Sequence, residues 1–268
     1  MRGTLSSDSN NMENNKIGIT AEFVSIIRSK DDPKNLYFIS PKVQRIYSFI
    51  KILISEDKFK EIFDWRLKLS QIINQKILTD NPEQIIEFGC GYSLRGFNLC
   101  LENKNLVYID SDLDDIICKK KKIINIICKK ENIKFPENYH LVSIDVLKNE
   151  IFEKTKDIIS SEKKTLALAE GLTSYFNDVE FETFLKNVRG FLDHFPNSEF
   201  YSNESISNPK GFIYPVLRYF ISLITKTKGH NKFKTASEFE EYLRKINITG
   251  IKIDISKRGF LFYSLIRD

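Results

Sequence analysis

The sequence predicts an α/β protein built on a mostly parallel seven-stranded sheet that ends in an antiparallel hairpin. From Ile85 onward, five short apolar segments (IIEF, LVYI, YHLVSI, TLALAE and EFYSNE) alternate with helical segments. That alternation is typical of a parallel sheet covered by helices. Two more strand candidates, GIKIDI and GFLFYSLI, are separated only by Ser256 to Arg258, and so short a connection requires antiparallel pairing.

The chain divides into a tail, a helical cap and a main domain. Residues 1–16 are polar and lack the apolar region of a secretory signal, so we expect a disordered tail. Residues 17–80 are predicted to be a helical N-terminal cap, because FVSIIRS, VQRIYSFIKILI and FDWRLKLSQIINQKIL carry apolar residues three and four positions apart. Residues 81–268 form the main domain, in which 208–249 are predicted to be a helical lid insertion.

The composition is that of an ordinary globular protein. Hydrophobic residues make up 41% and charged residues 29% of 268 positions, and 41 basic against 36 acidic residues leave a net charge of +5. So mild a charge does not by itself indicate a nucleic acid partner. The basic run from Lys119 to Lys122 lies among isoleucines at helical spacing, and we interpret it as the solvated face of an amphipathic helix.

The sequence gives no sign of a membrane span or a metal site. The apolar stretch from Gly211 to Thr225 is interrupted by Pro215 and Arg218 and is shorter than the about 20 residues that cross a bilayer. The four cysteines contain no CxxC pair, so neither zinc nor redox chemistry is indicated. We expect a cytoplasmic protein with no metal, membrane or nucleic acid partner, as a monomer or a weak homodimer.

A glycine turn after the first strand predicts a nucleotide-containing ligand. Gly89 and Gly91 permit a tight turn and a close approach of the backbone to a ligand. About 20 residues further on, Asp110 and Asp112 stand where a carboxylate accepts hydrogen bonds from ribose hydroxyls. The third glycine of a dinucleotide motif is missing, since its position is Leu94. This departure, with an acidic strand end, favours the positively charged cofactor S-adenosylmethionine.

Carboxylates follow four of the predicted parallel strands. They are Glu87, Asp110 and Asp112, Asp145, and Glu170. Right-handed crossovers bring the carboxyl ends of parallel strands to one edge of a sheet, where ligands bind. We therefore expect these side chains to face one crevice.

With these motifs in place, the chain resembles the leucine carboxyl methyltransferase family. Within that family it is most similar to bacterial O-methyltransferases like the tetracenomycin polyketide enzyme. The resemblance rests on ordered blocks: FDWRLKLSQII with Arg66, EFGCGYSLR from Glu87 to Arg95, YIDSD from Tyr108 to Asp112, SIDVLK with Asp145 and Val146, and AEGLTSY from Ala169 to Tyr175. Departures are Leu94, where the family has threonine, and Leu67, where it often has threonine.

The resemblance implies a Rossmann-like class I methyltransferase fold and S-adenosylmethionine as cofactor. It assigns Arg66 to the carboxylate of the cofactor's methionine part, Asp112 rather than Asp110 to the ribose, and Asp145 with Val146 to the adenine. Glu87, Gly89, Gly91 and Glu170 complete the implied cofactor site. Arg28, in IIRSKDD, resembles a basic residue of the family's first helix.

The implied reaction is methyl transfer to a hydroxyl or carboxylate oxygen of a small molecule, polyketide-like or another metabolite. A carboxylate acceptor is ionised at neutral pH and needs no base, whereas a phenol or alcohol does, and Tyr175 or His230 could serve. Three alternatives stay open: methylation of a protein carboxyl terminus, nucleic acid methylation, and cofactor binding without catalysis. The Asn-Pro-Pro-aromatic motif of amino-directed nucleic acid enzymes is absent from the AEGLTSY position.

Overall fold

A computed structural model of the protein describes residues 18–53, 56–205, 233–255 and 260–266. Four helical segments precede the sheet: α1 over residues 18–28, a 3-10 helix Pro33–Phe38, α2 (Pro41–Leu53) and α3 (Glu56–Asp80). The later helices are α4 (Arg95–Glu102), α5 (Asp114–Glu131), α6 (Ile151–Thr155), α7 (Asp178–His194) and α8 (Ala236–Lys245), with a 3-10 turn Thr173–Tyr175 after the fourth strand.

The strands form one seven-stranded sheet in the order β3-β2-β1-β4-β5-β7-β6. They are β1 (Gln84–Phe88), β2 (Val107–Asp112), β3 (Tyr139–Ser143), β4 (Thr165–Ala169), β5 (Ser198–Ser205), β6 (Ile251–Ile255) and β7 (Phe260–Ile266). β1 to β5 pair in parallel, and β7 is antiparallel to both β5 and β6. The predicted α/β class, the five parallel strands and the terminal hairpin are confirmed.

The strand order fixes where a ligand can bind. The first strand, β1, lies inside the sheet. From it the chain proceeds outward through β2 to β3 and then returns to β4 on the other side of β1. The connections after β1 and after β4 therefore diverge, which leaves a crevice beyond their carboxyl ends. The glycine turn and Glu170 lie at these two ends.

Hydrophobic cores on both faces of the sheet hold this edge in place. All five residues of β1 are buried, as expected of a central strand covered on both sides. Phe88 packs edge-on against Phe184 and Phe191 of α7, with ring centroids 6.3 and 6.2 Å apart. Ile85 faces the opposite core, which α3, α4 and α5 line with residues such as Ile73, Phe97 and Ile124.

Part of the segment predicted as a lid belongs to the core of the domain. Helix α8 begins at the N-cap Thr235, whose hydroxyl accepts a hydrogen bond from the Glu238 amide. Phe239 and Leu243 of α8 are fully buried against the same core as β7. Residues 208–232, the rest of that segment, lie outside the described residues.

One smaller expectation is wrong. Lys120, within the run interpreted as a solvated helix face, is fully buried. It lies four residues after Ile116 and four before Ile124, and this spacing places it on the apolar side of α5. In the part of the chain that the structure describes, no helix combines the length and apolarity needed to cross a membrane.

Two glycines in helices give a matched test of packing. A Cβ built on Gly96 in α4 would lie 2.5 Å from Cδ1 of Tyr108 and 2.9 Å from Cε2 of Tyr139, whereas a Cβ on Gly190 in α7 has no atom within 4 Å. We predict that Gly96→Ala lowers the free energy of unfolding by about 1–3 kcal/mol through overpacking. Gly190→Ala should raise it by about 0.5–1 kcal/mol, because alanine favours a helix interior.

Urea titration followed by circular dichroism measures both changes on one scale. Equal effects of the two substitutions would contradict the described packing of α4 against β2 and β3.

Candidate functional site

The turn after β1 requires glycine at its first position. Gly89 and Gly91 have φ of 63° and 51°, in the left-handed region that side chains disfavour. A Cβ on Gly89 would also approach Cδ1 of Leu172 to 2.8 Å. The Cys90 amide donates to the Ser111 carbonyl at 3.0 Å, which ties the turn to β2. The backbone here is thus a fixed floor between two strand ends, bordered by the Leu172 side chain.

Asp112 is fixed beside this floor. Its two carboxylate oxygens accept hydrogen bonds from the Gly91 amide and from the Leu113 amide, each at 2.8 Å. A carboxylate has about four acceptor sites, so each oxygen can still accept a further hydrogen bond. Asp112 is 9% exposed and lies at the strand end, where a ligand could reach it. Burial raises the pKa of this carboxyl group, and the two amides act against that shift.

Asp110 has a different environment, although it lies on the same face of β2. It is fully buried, and its Oδ2 lies 2.7 Å from Nζ of Lys120 and accepts a hydrogen bond from the Tyr139 hydroxyl. Both of its predicted roles, ribose ligand and crevice carboxylate, need access that this position does not give. The two aspartates therefore differ in their access to solvent: Asp112 keeps a small exposed area, whereas Asp110 is fully enclosed.

Arg95 joins the ends of β1 and β4. Nη1 of Arg95 lies 2.8 Å from Oε1 of Glu87, and Nη2 forms an ion pair with Oε2 of Glu170. The Tyr108 hydroxyl donates to the other oxygen of Glu87 at 2.6 Å. Burial disfavours the charge of Arg95, but the attraction of Glu87 and Glu170 outweighs it and raises the pKa of Arg95. The guanidinium is therefore charged and bridges two strands.

Helices of the N-terminal cap extend this ionic network. Nη2 of Arg28 in α1 lies 3.1 Å from Oε1 of Glu170, and Oγ of Ser70 in α3 donates to Oε2 of Glu170 at 3.2 Å. Nε of Arg95 donates to Oδ1 of Asn74 in α3 at 2.8 Å. Glu170 is thus held by the cap and the sheet together.

Helix α1 also borders the glycine turn. A Cβ added to Gly91 would lie 3.5 Å from Cβ of Ala21, at ordinary van der Waals distance, so α1 passes close to the turn. Glu22 accepts hydrogen bonds from the amide and the hydroxyl of Ser40 and pairs with Lys119 of α5. These contacts fasten α1 across the edge of the sheet on which the turn lies.

Asp145 and Val146 lie just beyond β3, on the same edge. Asp112 pairs with Ser143 in the sheet, and the Ile144 amide donates to the Asp112 carbonyl at 2.9 Å. Oδ1 of Asp145 accepts from the Leu147 amide at 3.1 Å, which closes a tight turn. Asp145 and Val146 thus follow directly after the strand that neighbours Asp112, as the sequence predicted.

The structure gives less information on the predicted catalytic residues, Tyr175 and His230, and on Arg66, the predicted ligand of the methionine part. Tyr175 ends the 3-10 turn that begins three residues after Glu170, and it is half-buried. Arg66 lies in α3, but its side chain falls outside the described part of the structure. His230 also lies outside the described residues. Their functional roles therefore stay predictions.

Sequence reasoning missed the cations of this site. Arg95 was quoted only as part of a motif, and Lys120 was interpreted as solvated. A usable signal existed for Arg95, because Glu87 and Glu170 follow adjacent strands and two buried carboxylates need a counter-charge. For Lys120 the signal was its spacing within the isoleucine stripe of α5.

With this geometry described, comparison with known proteins decides the family. A model of the leucine carboxyl methyltransferase family matches residues 56–189, which is half of the chain. The chain belongs to this family. The match begins at α3 and includes the glycine turn, Asp112, Glu170 and most of α7. A search of curated proteins finds no match.

Solved structures of methyltransferases share the fold. PigF with SAH has a TM-score of 0.52 and 12% identity, over 70% of this chain and 51% of that one. The S-adenosylmethionine-dependent methyltransferase SibL in its apo form has a TM-score of 0.51 and 14% identity, over 77% of this chain and 56% of that one. An O-methyltransferase family protein from Burkholderia thailandensis has a TM-score of 0.50 and 12% identity, over 76% of this chain and 57% of that one. At these identities the likeness shows the Rossmann-like methyltransferase fold alone. The present chain spans just over half the length of each of these three proteins.

We predict that removing the guanidinium of Arg95 strongly lowers the free energy of unfolding. Arg95→Met keeps the side-chain volume but leaves Glu87 buried without its ion-pair partner. Removing one member of a buried pair costs about 3–5 kcal/mol, so we expect a loss of that size in the free energy of unfolding from urea titration. Arg244→Met is the matched control, since Arg244 is 72% exposed in its pair with Glu240 and should contribute at most about 1 kcal/mol.

A double substitution separates the ion pair from other effects of the change. Adding Glu87→Gln to Arg95→Met removes the uncompensated charge and should recover part of the loss. A cost for Arg95→Met no larger than that for Arg244→Met would contradict the bridge.

Proposed function

We propose that the protein is an S-adenosylmethionine-dependent O-methyltransferase that methylates a hydroxyl or carboxylate oxygen of a small molecule. One observation carries the proposal: a fixed carboxylate, Asp112, accepts a hydrogen bond from the glycine floor at the point where the strand order reverses. This is the arrangement that accepts the ribose of an adenosine-containing ligand. The family match adds methyl transfer as the chemistry.

The residues present fit the parts of this cofactor. Asp112 has acceptor capacity left for the two ribose hydroxyls, and Gly89 and Gly91 contribute no side chains of their own to the floor. We propose that Asp145 and Val146 flank the adenine, because they follow the strand beside Asp112. The carboxylate–guanidinium pair of Glu170 and Arg28 is complementary to the ammonium and carboxylate of an amino acid, and Arg66 is proposed to assist.

The structure refines the roles proposed for two acidic residues. Glu87 is 1% exposed and both of its oxygens are bonded, to Arg95 and to Tyr108. We therefore propose that Glu87 and Asp110 support the site from below, that Asp112 faces the cofactor, and that Glu170, whose oxygens are also bonded, positions Arg28 beside it. Coulombic attraction to these carboxylates suits a ligand with a positive sulfur.

S-adenosylmethionine, when bound, supplies a methyl group already activated by its positive sulfur, so the chain's task is orientation and proton handling. For a carboxylate acceptor, no residue has to remove a proton at neutral pH. For a phenol or alcohol acceptor we propose Tyr175 as the assisting group, because it follows Glu170 closely at the same edge of the sheet. His230 is the second candidate for this role.

A second candidate function is methylation of the carboxyl terminus of a protein, which the name of the matched family favours. Transfer of labelled methyl from S-adenosylmethionine into a cell extract, fractionated into small molecules, protein and nucleic acid, separates the two. Label in the small-molecule fraction supports our proposal. Base-labile label in protein, as expected of a methyl ester, would support the second candidate instead.

Calorimetry with S-adenosylmethionine and S-adenosylhomocysteine tests the cofactor site. We expect both ligands to bind, and Asp112→Ala to weaken binding by about a hundredfold, because two hydrogen bonds to a charged group are lost. Asp157→Ala, which removes a carboxylate from an exposed position, is the control and should leave the affinity unchanged. An absence of heat with both ligands, together with binding of NAD, would refute the proposal.

A further inference from the structure

Lys120 is a charged side chain with no access to solvent. It lies on the inner face of α5, the helix that begins two residues after Asp112, and none of its surface is exposed. Lysine is almost never fully buried unless it is paired. Its partner is Asp110, which is equally buried, with Nζ of Lys120 and Oδ2 of Asp110 2.7 Å apart.

The pair lies beneath the candidate ribose site. Asp110 and Asp112 alternate along β2 with Ser111 and so face the same side of the sheet, about 7 Å apart along the strand. Burial raises the pKa of Asp112, and the charge of Lys120 acts against that shift. Burial also raises the pKa of Cys90, in the glycine turn, and the same charge opposes it. Lys120 therefore influences both the turn and the carboxylate that borders it.

Stability alone is a poor reason for this pair. A buried ion pair is often no more stabilising than apolar residues of the same volume, because both charges lose their hydration. Oδ1 of Asp110 has no hydrogen-bond partner among the described residues, which adds to the cost. Asp110 precedes Asp112 by two residues on the same face of β2, and this location suggests that the pair has a role in the site.

We propose that Lys120 is a positioning residue for the ribose: paired with Asp110, it keeps the charge and orientation of Asp112 suited to a nucleoside that carries both ribose hydroxyls. This inference rests on the proposed S-adenosylmethionine site and deepens it. The Lys120–Asp110 pair has no net charge, so one negative charge is left at Asp112 to accept the hydroxyls. Without Lys120, two carboxylates on one strand face repel each other, and a proton or a shift of Asp112 relieves the repulsion.

The effect of Lys120 can be separated from a general structural role by varying the ligand. Calorimetry measures the affinity of wild type and of Lys120→Met for two ligands, S-adenosylhomocysteine and its 2′-deoxyribose analogue. Wild type should prefer the ribose form by about tenfold, the value of one hydrogen bond to a charged group. Lys120→Met should reduce that preference to about threefold or less, because Asp112 no longer presents the same acceptor. Equal weakening of both ligands, or no change, would overturn the proposal.

Neighbouring variants control the test. Lys121→Met makes the same chemical change at an exposed position of α5 and should keep the wild-type preference. Asp110→Asn should lower the preference, because Lys120 then has Asp112 as its nearest carboxylate. Asp110→Asn with Lys120→Met restores a neutral pair and should return the preference to within about twofold of wild type, above the value of either single variant. Because Asp110→Asn and the double variant test the same coupling, the proposal stays refutable if Lys120→Met does not fold.

The outcomes distinguish this inference from the proposed function. If wild type binds neither ligand, the cofactor site itself is refuted. If wild type binds and prefers ribose, but the preference survives in Lys120→Met and in Asp110→Asn, only the role of Lys120 is refuted.

Discussion

The ion pair of Arg95 with Glu87 and Glu170 is the interaction on which the rest of this edge depends. It joins the end of β1 to the end of β4 at the point where the chain reverses its direction across the sheet. Two carboxylates on adjacent buried strands would repel each other without a cation between them. Because Arg95 is also the first residue of α4, the same contact fixes the helix that follows the glycine turn.

Charge balance explains how acidic strand ends can stay buried and still serve a ligand. Arg95 compensates Glu87 and Glu170, and Lys120 compensates Asp110. Asp112 is held by the backbone amides of Gly91 and Leu113 instead, so its oxygens keep acceptor capacity at the surface of the crevice. The cap adds Arg28 to Glu170, so the same edge carries a cation and an anion side by side near the glycine turn.

The architecture of the domain follows from local patterns, and the site follows only in part. Alternating apolar segments and a three-residue link were enough for the parallel strands and the hairpin, because intervening helices require parallel strands and so short a link requires antiparallel ones. Glycine spacing located the turn and the pair Asp110 and Asp112, and the family resemblance selected Asp112. The pairing of Glu170 with Arg28 could not be found this way, since Arg28 lies 142 residues away along the chain and leaves no local pattern. Lys120 was misread because a run of four lysines suggests solvent, whereas its burial depends on isoleucines a helical turn away.

The central claim is that the nucleoside of S-adenosylmethionine lies on the glycine turn with its ribose on Asp112. A crystal structure with S-adenosylhomocysteine tests it most directly. We expect both ribose hydroxyls within hydrogen-bond distance of the Asp112 carboxylate, with Arg95 still bridging Glu87 and Glu170 and Asp110 still paired with Lys120. A nucleoside bound elsewhere, or a ribose held by Asp110 after the Lys120 pair has opened, would contradict the account.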